Sequence, residues 1–178
     1  GVTLRLWDDE DGDYRKAGHV GCCGESAVND AMIICAKLNI PFHVASYTDL
    51  FKEKITDPFC DEYSKGRTPN PCAACNRLIK WRGLIEMADS LGCDYVATGH
   101  YSFAEKLPSQ RYSIRKGSSR KDQSYFLAYV NKDIFKDVLF PLQDTLKTEV
   151  RKIAEEYELA TAKKKDSTGI CFIGERNF

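Results

Sequence analysis

With 178 residues, 26 basic against 26 acidic side chains and 43% apolar residues, the chain has room for one domain with a real core. It carries no net field to draw it onto nucleic acid or an anionic membrane, and no apolar run approaches the length that spans a bilayer. Eight cysteines at irregular positions, with no signal peptide in the residues present, read as cytosolic thiols and not as a disulfide framework.

Gly1 to Trp7 reads as a strand already under way, no initiator Met precedes it, and Arg176-Asn177-Phe178 stops abruptly. The sequence is therefore expected to be an internal piece of a longer protein. Val2-Thr3-Leu4-Arg5-Leu6-Trp7 alternates apolar with polar residues, as a strand does. Ser26 can cap a helix on which Val28, Ala31, Met32, Cys35 and Leu38 recur at helical spacing; Asn39 can end it, and Pro41 follows. Phe42-His43-Val44-Ala45 predicts the next strand, with His43 in a structural place. Asp49 to Lys65 is helical in pattern, with a kink at Pro58. Thr68-Pro69-Asn70-Pro71 reads as rigid loop, because each proline restrains itself and its predecessor.

Helix returns from Asn76 to Leu91, with Leu78, Ile79, Leu84, Ile85 and Ala88 as its apolar stripe and Gly92 closing it. Asp94 to His100 is a short strand running into a glycine turn, and Tyr112 to Arg115 is one arm of a hairpin. Thr148 caps a last amphipathic helix carrying Val150, Ile153, Ala154 and Leu159. Strands separated by helices predict an α/β fold: a doubly wound, mostly parallel sheet with helices on both faces. Ligands in such sheets bind beyond the carboxyl ends of the strands, which places the Thr98-Gly99-His100 turn and the loop after Trp7 at the ligand edge. A nucleotide would suit that edge. Yet the chain holds no GxGxxG and no Walker-type loop, so the residues alone leave phosphate binding unproven.

Local charge is uneven. Trp7 to Asp13 is acidic, whereas Lys65-Gly66-Arg67, Arg115 to Lys121 and Lys163 to Lys165 are basic. Three basic runs, two of them beside cysteines, favour a polyanionic partner over merely solvated loops. Cys72-Ala73-Ala74-Cys75 can bring two thiols to one site for metal binding or redox exchange. A structural zinc would need two further ligands, and the adjacent Cys22 and Cys23 are poorly placed to chelate together. Lys65, Arg67, Arg77 and Lys80 nearby would favour thiolate. Cys171 lies between Gly169 and Gly174, in a loop whose backbone can approach a ligand closely. Cys35, Cys60 and Cys93 read as packing residues.

The strings TPNPCAACN-x-x-IKW, DYVATGHY, KDQSYFL, EVRKIAE and TAKKKDSTGICFIGER resemble, in order and over nearly the whole chain, those of the tRNA-specific 2-thiouridylases. These belong to the wider group of ATP-pyrophosphatase-loop enzymes. The resemblance implies a sheet of adenine-nucleotide-hydrolase type. It also implies an enzyme that uses ATP, with Mg²⁺, to adenylate the C2 oxygen of the wobble uridine, and a cysteine persulfide to replace that oxygen by sulfur. One hard substitution is thereby split into two easier ones. By the same resemblance Cys171 carries the persulfide, and Cys75 is the nucleophile that releases the sulfur or closes a disulfide as it leaves. Asn70, Pro71 and Cys72 then contact the target base, Lys121, Asp122 and Gln123 contact tRNA, and Leu4 and Gly99 serve the ATP site. The implied partners are tRNA and a sulfur-donor protein, in the cytoplasm and without a membrane.

Two departures accompany it. The family's first strand, its SGGVDSS-type phosphate loop and the domains that normally follow are absent, so residues 1–178 are expected to be part of a catalytic domain, inactive alone. Cys72 stands where some relatives carry Asp. With Cys75 and Cys171 it could ligate an iron–sulfur cluster with one iron open to sulfide. That route and a metal-stabilised tRNA-binding module without catalysis are the alternatives. An ATP-dependent amidating or ligating enzyme is disfavoured by the TGICFIGE segment.

Overall fold

The structure, a computed structural model, describes residues 1–7, 25–166 and 169–173. Cys22, Cys23, the acidic run beyond Trp7 and Gly174 lie outside the described residues. The chain divides into two compact units, Gly1–Cys75 with Leu159–Phe178, and Asn76–Glu158.

In the first unit β1 (Val2–Arg5) pairs in parallel with β2 (His43–Ser46), from Val2 opposite His43 to Arg5 opposite Ser46. Strand alternation buries Leu4 and Leu6 and exposes Arg5. The crossover between these strands contains α1 (Glu25–Lys37). It closes as expected: Asn39 takes a left-handed φ of 53°, and Ile40 N donates to Cys35 O at 3.0 Å. Two expectations change here. The helix already includes Glu25, so Ser26 lies inside it and is not its cap. Cys35 is buried but Met32 and Leu38 are exposed, which narrows the buried stripe.

The next helical stretch comprises α2 (Thr48–Phe51), a π-turn (Lys52–Thr56) and α3 (Asp57–Ser64). Pro58 lies just inside α3. The irregularity associated with it is the wide turn upstream, where i→i+5 bonding replaces the i→i−4 ladder that a proline interrupts. Phe51 and Ile55 are both buried. α4 (Pro71–Cys75) packs against the π-turn. Helix therefore begins at Pro71, ahead of the expected Asn76.

In the second unit a π-turn (Asn76–Lys80) leads into α5 (Trp81–Ser90). Gly92 closes it at φ 66°, with Cys93 N donating to Ala88 O at 2.9 Å. β3 (Val96–Ala97) pairs in parallel with β6 (Val138–Leu139), and β4 (Ser102–Lys106) forms the expected hairpin with β5 (Tyr112–Lys116). Trp81, Val96, Leu127, Phe135, Val138 and Phe140 make the core. The Trp81 ring meets Phe135 at 5.8 Å and Phe140 at 6.2 Å, both edge-on. α6 (Lys147–Glu156) is preceded by Leu146, not capped by Thr148: the Glu149 carboxylate accepts from Leu146 N at 2.7 Å.

Parallel strand pairs alternating with helices give the α/β character that the sequence predicts. Cys60 and Cys93, expected to pack, are exposed, while Cys35 is buried. Among the described residues no helix is long and apolar enough to cross a membrane.

Candidate active site

The segments around Cys72 and Cys75 and around Cys171 both fall in the first unit. α4 opens as its sequence dictates. Asn70 Oδ1 accepts from Ala73 N at 3.0 Å, and Pro71 takes the first helical position. Asn70 thus caps the helix that carries Cys72, half-buried, in its first turn and Cys75, buried, at its end. Asn70→Ala is expected to cost about 1 kcal/mol, read as a lower denaturation midpoint, and Asn70→Ser to recover most of it.

Cys171 sits in a tight turn. Ile173 N donates to Ile170 O at 3.1 Å, which closes a four-residue turn with Cys171 and Phe172 at its two central positions. The Phe172 ring packs edge-on against Phe51 at 5.6 Å and Phe59 at 5.3 Å, and Phe59 stacks on Tyr63 at 5.8 Å. Phe51 and Phe59 flank the π-turn that bears on α4. One helical stretch therefore supports both cysteine segments. Sequence reasoning missed this seat, although Phe51, Ile55, Phe59 and Tyr63 recur at intervals of four, the spacing of a helix face.

The basic runs are less available than their sequence suggests. Lys65 pairs with Asp61 at 2.5 Å, and Arg67 pairs with Glu62. The hydrogen bond from Arg67 holds the Glu62 carboxyl below its ordinary range, and that to Asp61 holds the Lys65 ammonium above its own. Two of the cations expected to favour thiolate at Cys72 and Cys75 are thus matched by carboxylates. Lys164 pairs with Asp30 and lies 3.4 Å from Ser26 Oγ, while Lys163 and Lys165 are exposed.

In the second unit Lys121, Asp122 and Gln123 form a laced turn. Lys121 N donates to Ser119 Oγ at 3.1 Å, and the Asp122 carboxylate accepts from Ser124 Oγ at 2.8 Å. Gln123 N donates to Tyr101 O at 2.9 Å, and its Oε1 accepts from Tyr101 N at 3.1 Å. Asp122 and Gln123 shape the turn, and Lys121 is exposed on it. Nearby, Gly117 runs so close to Gln143 that a Cβ there would lie 2.9 Å from its carbonyl oxygen.

Beyond β3, Gly99 is exposed, and among the described residues a Cβ on it would meet Leu142 Cδ1 at 3.9 Å. His100 stacks on Trp81 at 5.9 Å, with Thr98 Oγ1 2.9 Å from its Nδ1, so its ring borders the aromatic core. Leu4 is in the first unit and only 7% exposed.

The sequence model of the tRNA methyl transferase HUP domain matches residues 1–175. The chain belongs to this family. HUP domains are of the adenine-nucleotide-hydrolase type, in agreement with the α/β architecture. The tRNA-specific 2-thiouridylase MnmA of Clostridium beijerinckii is 46% identical over 178 residues, covering 99% of this chain and 49% of that relative. The protein of the same name from Staphylococcus epidermidis is 44% identical over 179 residues, covering 100% and 46%. The one from Clostridium botulinum is 42% identical over 177 residues, covering 99% and 48%. The chain spans about half the length of the curated relatives it matches.

Among the described residues of this HUP domain, no three His, Cys, Asp or Glu side chains gather as they would around a metal ion. Cys72, Cys75 and Cys171 are thus not gathered around a metal-ion position. A cluster on those residues therefore has no geometric support among the described residues.

Proposed function

We propose that the longer protein carrying this chain is a tRNA-uridine 2-sulfurtransferase that uses ATP and a cysteine persulfide. What carries this proposal is that the Cys75 and Cys171 segments rest on one helical stretch, in a chain whose relatives are named tRNA-specific 2-thiouridylase. The C2 oxygen of the wobble uridine takes the adenylyl group of ATP with loss of pyrophosphate, and so becomes a leaving group. The Cys75 thiolate attacks the inner sulfur of a Cys171 persulfide. The outer sulfur departs with the electron pair, a Cys75–Cys171 disulfide remains, and the released sulfide attacks C2 as AMP leaves. A dithiol reductant reopens the disulfide.

Asn70, Pro71 and Cys72 meet the unstacked base, and the Asn70 cap keeps that loop rigid. Lys121 meets backbone phosphate on a turn held by Asp122 and Gln123. Leu4 and Gly99 serve the Mg²⁺–ATP substrate, and the exposure of Gly99 supports close backbone approach there. A donor protein loads Cys171 with sulfur, and the reaction runs in the cytoplasm.

The test supplies the full-length protein with unmodified tRNA, ATP and a persulfide donor, then digests the tRNA for nucleoside mass spectrometry. The expected result is 2-thiouridine in step with AMP. ATP turnover without a thionucleoside would overturn the proposal.

A further inference from the structure

We propose that Phe172 is a positioning residue for Cys171: its ring, seated between Phe51 and Phe59, fixes the neighbouring thiol where exchange with Cys75 can occur. This rests on the sulfur-transfer function proposed above and assigns it a residue with no chemistry of its own. Cys171 and Phe172 are the two central residues of one hydrogen-bonded turn, so the seat of one sets the place of the other. The ring meets two others edge-on, at 5.6 Å and 5.3 Å, and the first of these, Phe51, is 2% exposed. Phe59 is steadied in turn by stacking on Tyr63.

The seat is also well placed for exchange. It is built on α2 and α3, on either side of the π-turn against which α4 packs, and α4 ends at Cys75. Releasing the ring would leave the thiol chemically intact but would lower its effective concentration at Cys75. Edge-on pairs of this kind, removed two at a time, correspond to a loss of about tenfold or more.

The test measures closure of the Cys75–Cys171 disulfide in the full-length protein equilibrated with reduced and oxidised glutathione. Oxidised glutathione first forms a mixed disulfide at one cysteine, and the second displaces reduced glutathione, so two thiols are oxidised and one glutathione disulfide is reduced. Peptide mapping by mass spectrometry identifies the pair. Phe172→Ala is expected to lower the effective concentration by about tenfold, whereas Phe172→Tyr, which keeps the ring, restores it. In 2-thiouridine formation the Ala variant should lose kcat with KM for tRNA unchanged. Phe59→Leu loosens the seat without altering the turn, and it decides the matter should Phe172→Ala fail to fold. Closure equal to the unaltered protein in folded Phe172→Ala or Phe59→Leu overturns the positioning role and leaves the sulfur-transfer function standing. Failure of the unaltered protein to form the disulfide at any glutathione ratio overturns both the pairing of Cys75 with Cys171 and this inference.

Discussion

Trp81→Ala is expected to lower the unfolding free energy by about 3–5 kcal/mol. Trp81 is 3% exposed in the core of the second unit and touches Phe135, Phe140 and His100 with its ring. Removing it leaves a cavity that rigid aromatic neighbours cannot close by small shifts, so the loss of transfer energy and the cost of the void add. The companion variant is informative. The buried Trp81 indole N–H has no hydrogen-bond partner among the described residues, so Trp81→Phe forfeits volume but no hydrogen bond. It should cost about 1–2 kcal/mol, well short of the Ala variant, because the cavity it leaves is smaller. Urea unfolding followed by circular dichroism checks both. An Ala variant within about 1 kcal/mol of the unaltered protein would mean that this cluster is not where the unit's stability lies.

Cys171→Ser in the full-length protein is expected to reduce 2-thiouridine formation at least about a thousand-fold. A serine hydroxyl has nearly the volume of the thiol, so the Ile170–Ile173 turn and the Phe172 seat should persist. Its oxygen cannot hold a transferable sulfur, and Cys75 is already assigned the attacking role, so the persulfide has lost its carrier. Affinity for tRNA, measured by filter binding, should change less than about threefold, because the substitution alters neither charge nor an aromatic surface. Persistent thiolation would remove Cys171 from the role of sulfur carrier. An equal loss of binding and activity would favour a purely structural role.

Local features were legible in the sequence because their causes are local. Gly92 ends α5 since a left-handed residue is needed there, and Tyr112 to Lys116 pairs back on Ser102 to Lys106 across a short turn. Leu4 and Leu6 turn inward by strand alternation. Asn70 was harder to read. Between two prolines it suggests loop, yet the second proline begins a helix and the asparagine is its cap. Lys164 bonds Asp30 across 134 residues of sequence, and no pattern within the Lys163–Lys165 run distinguishes its middle member from the other two. Cys60 and Cys93 show the opposite limit, since position at or near a helix does not say which face is covered. The cysteine segments were identifiable by motif. Their common support was not, because it depends on rings far apart along the chain.

The π-turn at Lys52–Thr56 makes residue count a part of the site. In an unbroken α-helix eight residues overshoot two full turns by about 80°, so Phe51 and Phe59 would point along diverging lines. A wider turn rotates each residue through less, which draws the two rings back toward one face, where both reach Phe172. Spacing is thus as heritable a property here as side-chain identity. A relative lacking one residue between these phenylalanines could keep every aromatic and still lose the alignment, whereas substitutions at the exposed positions of the turn would leave it intact.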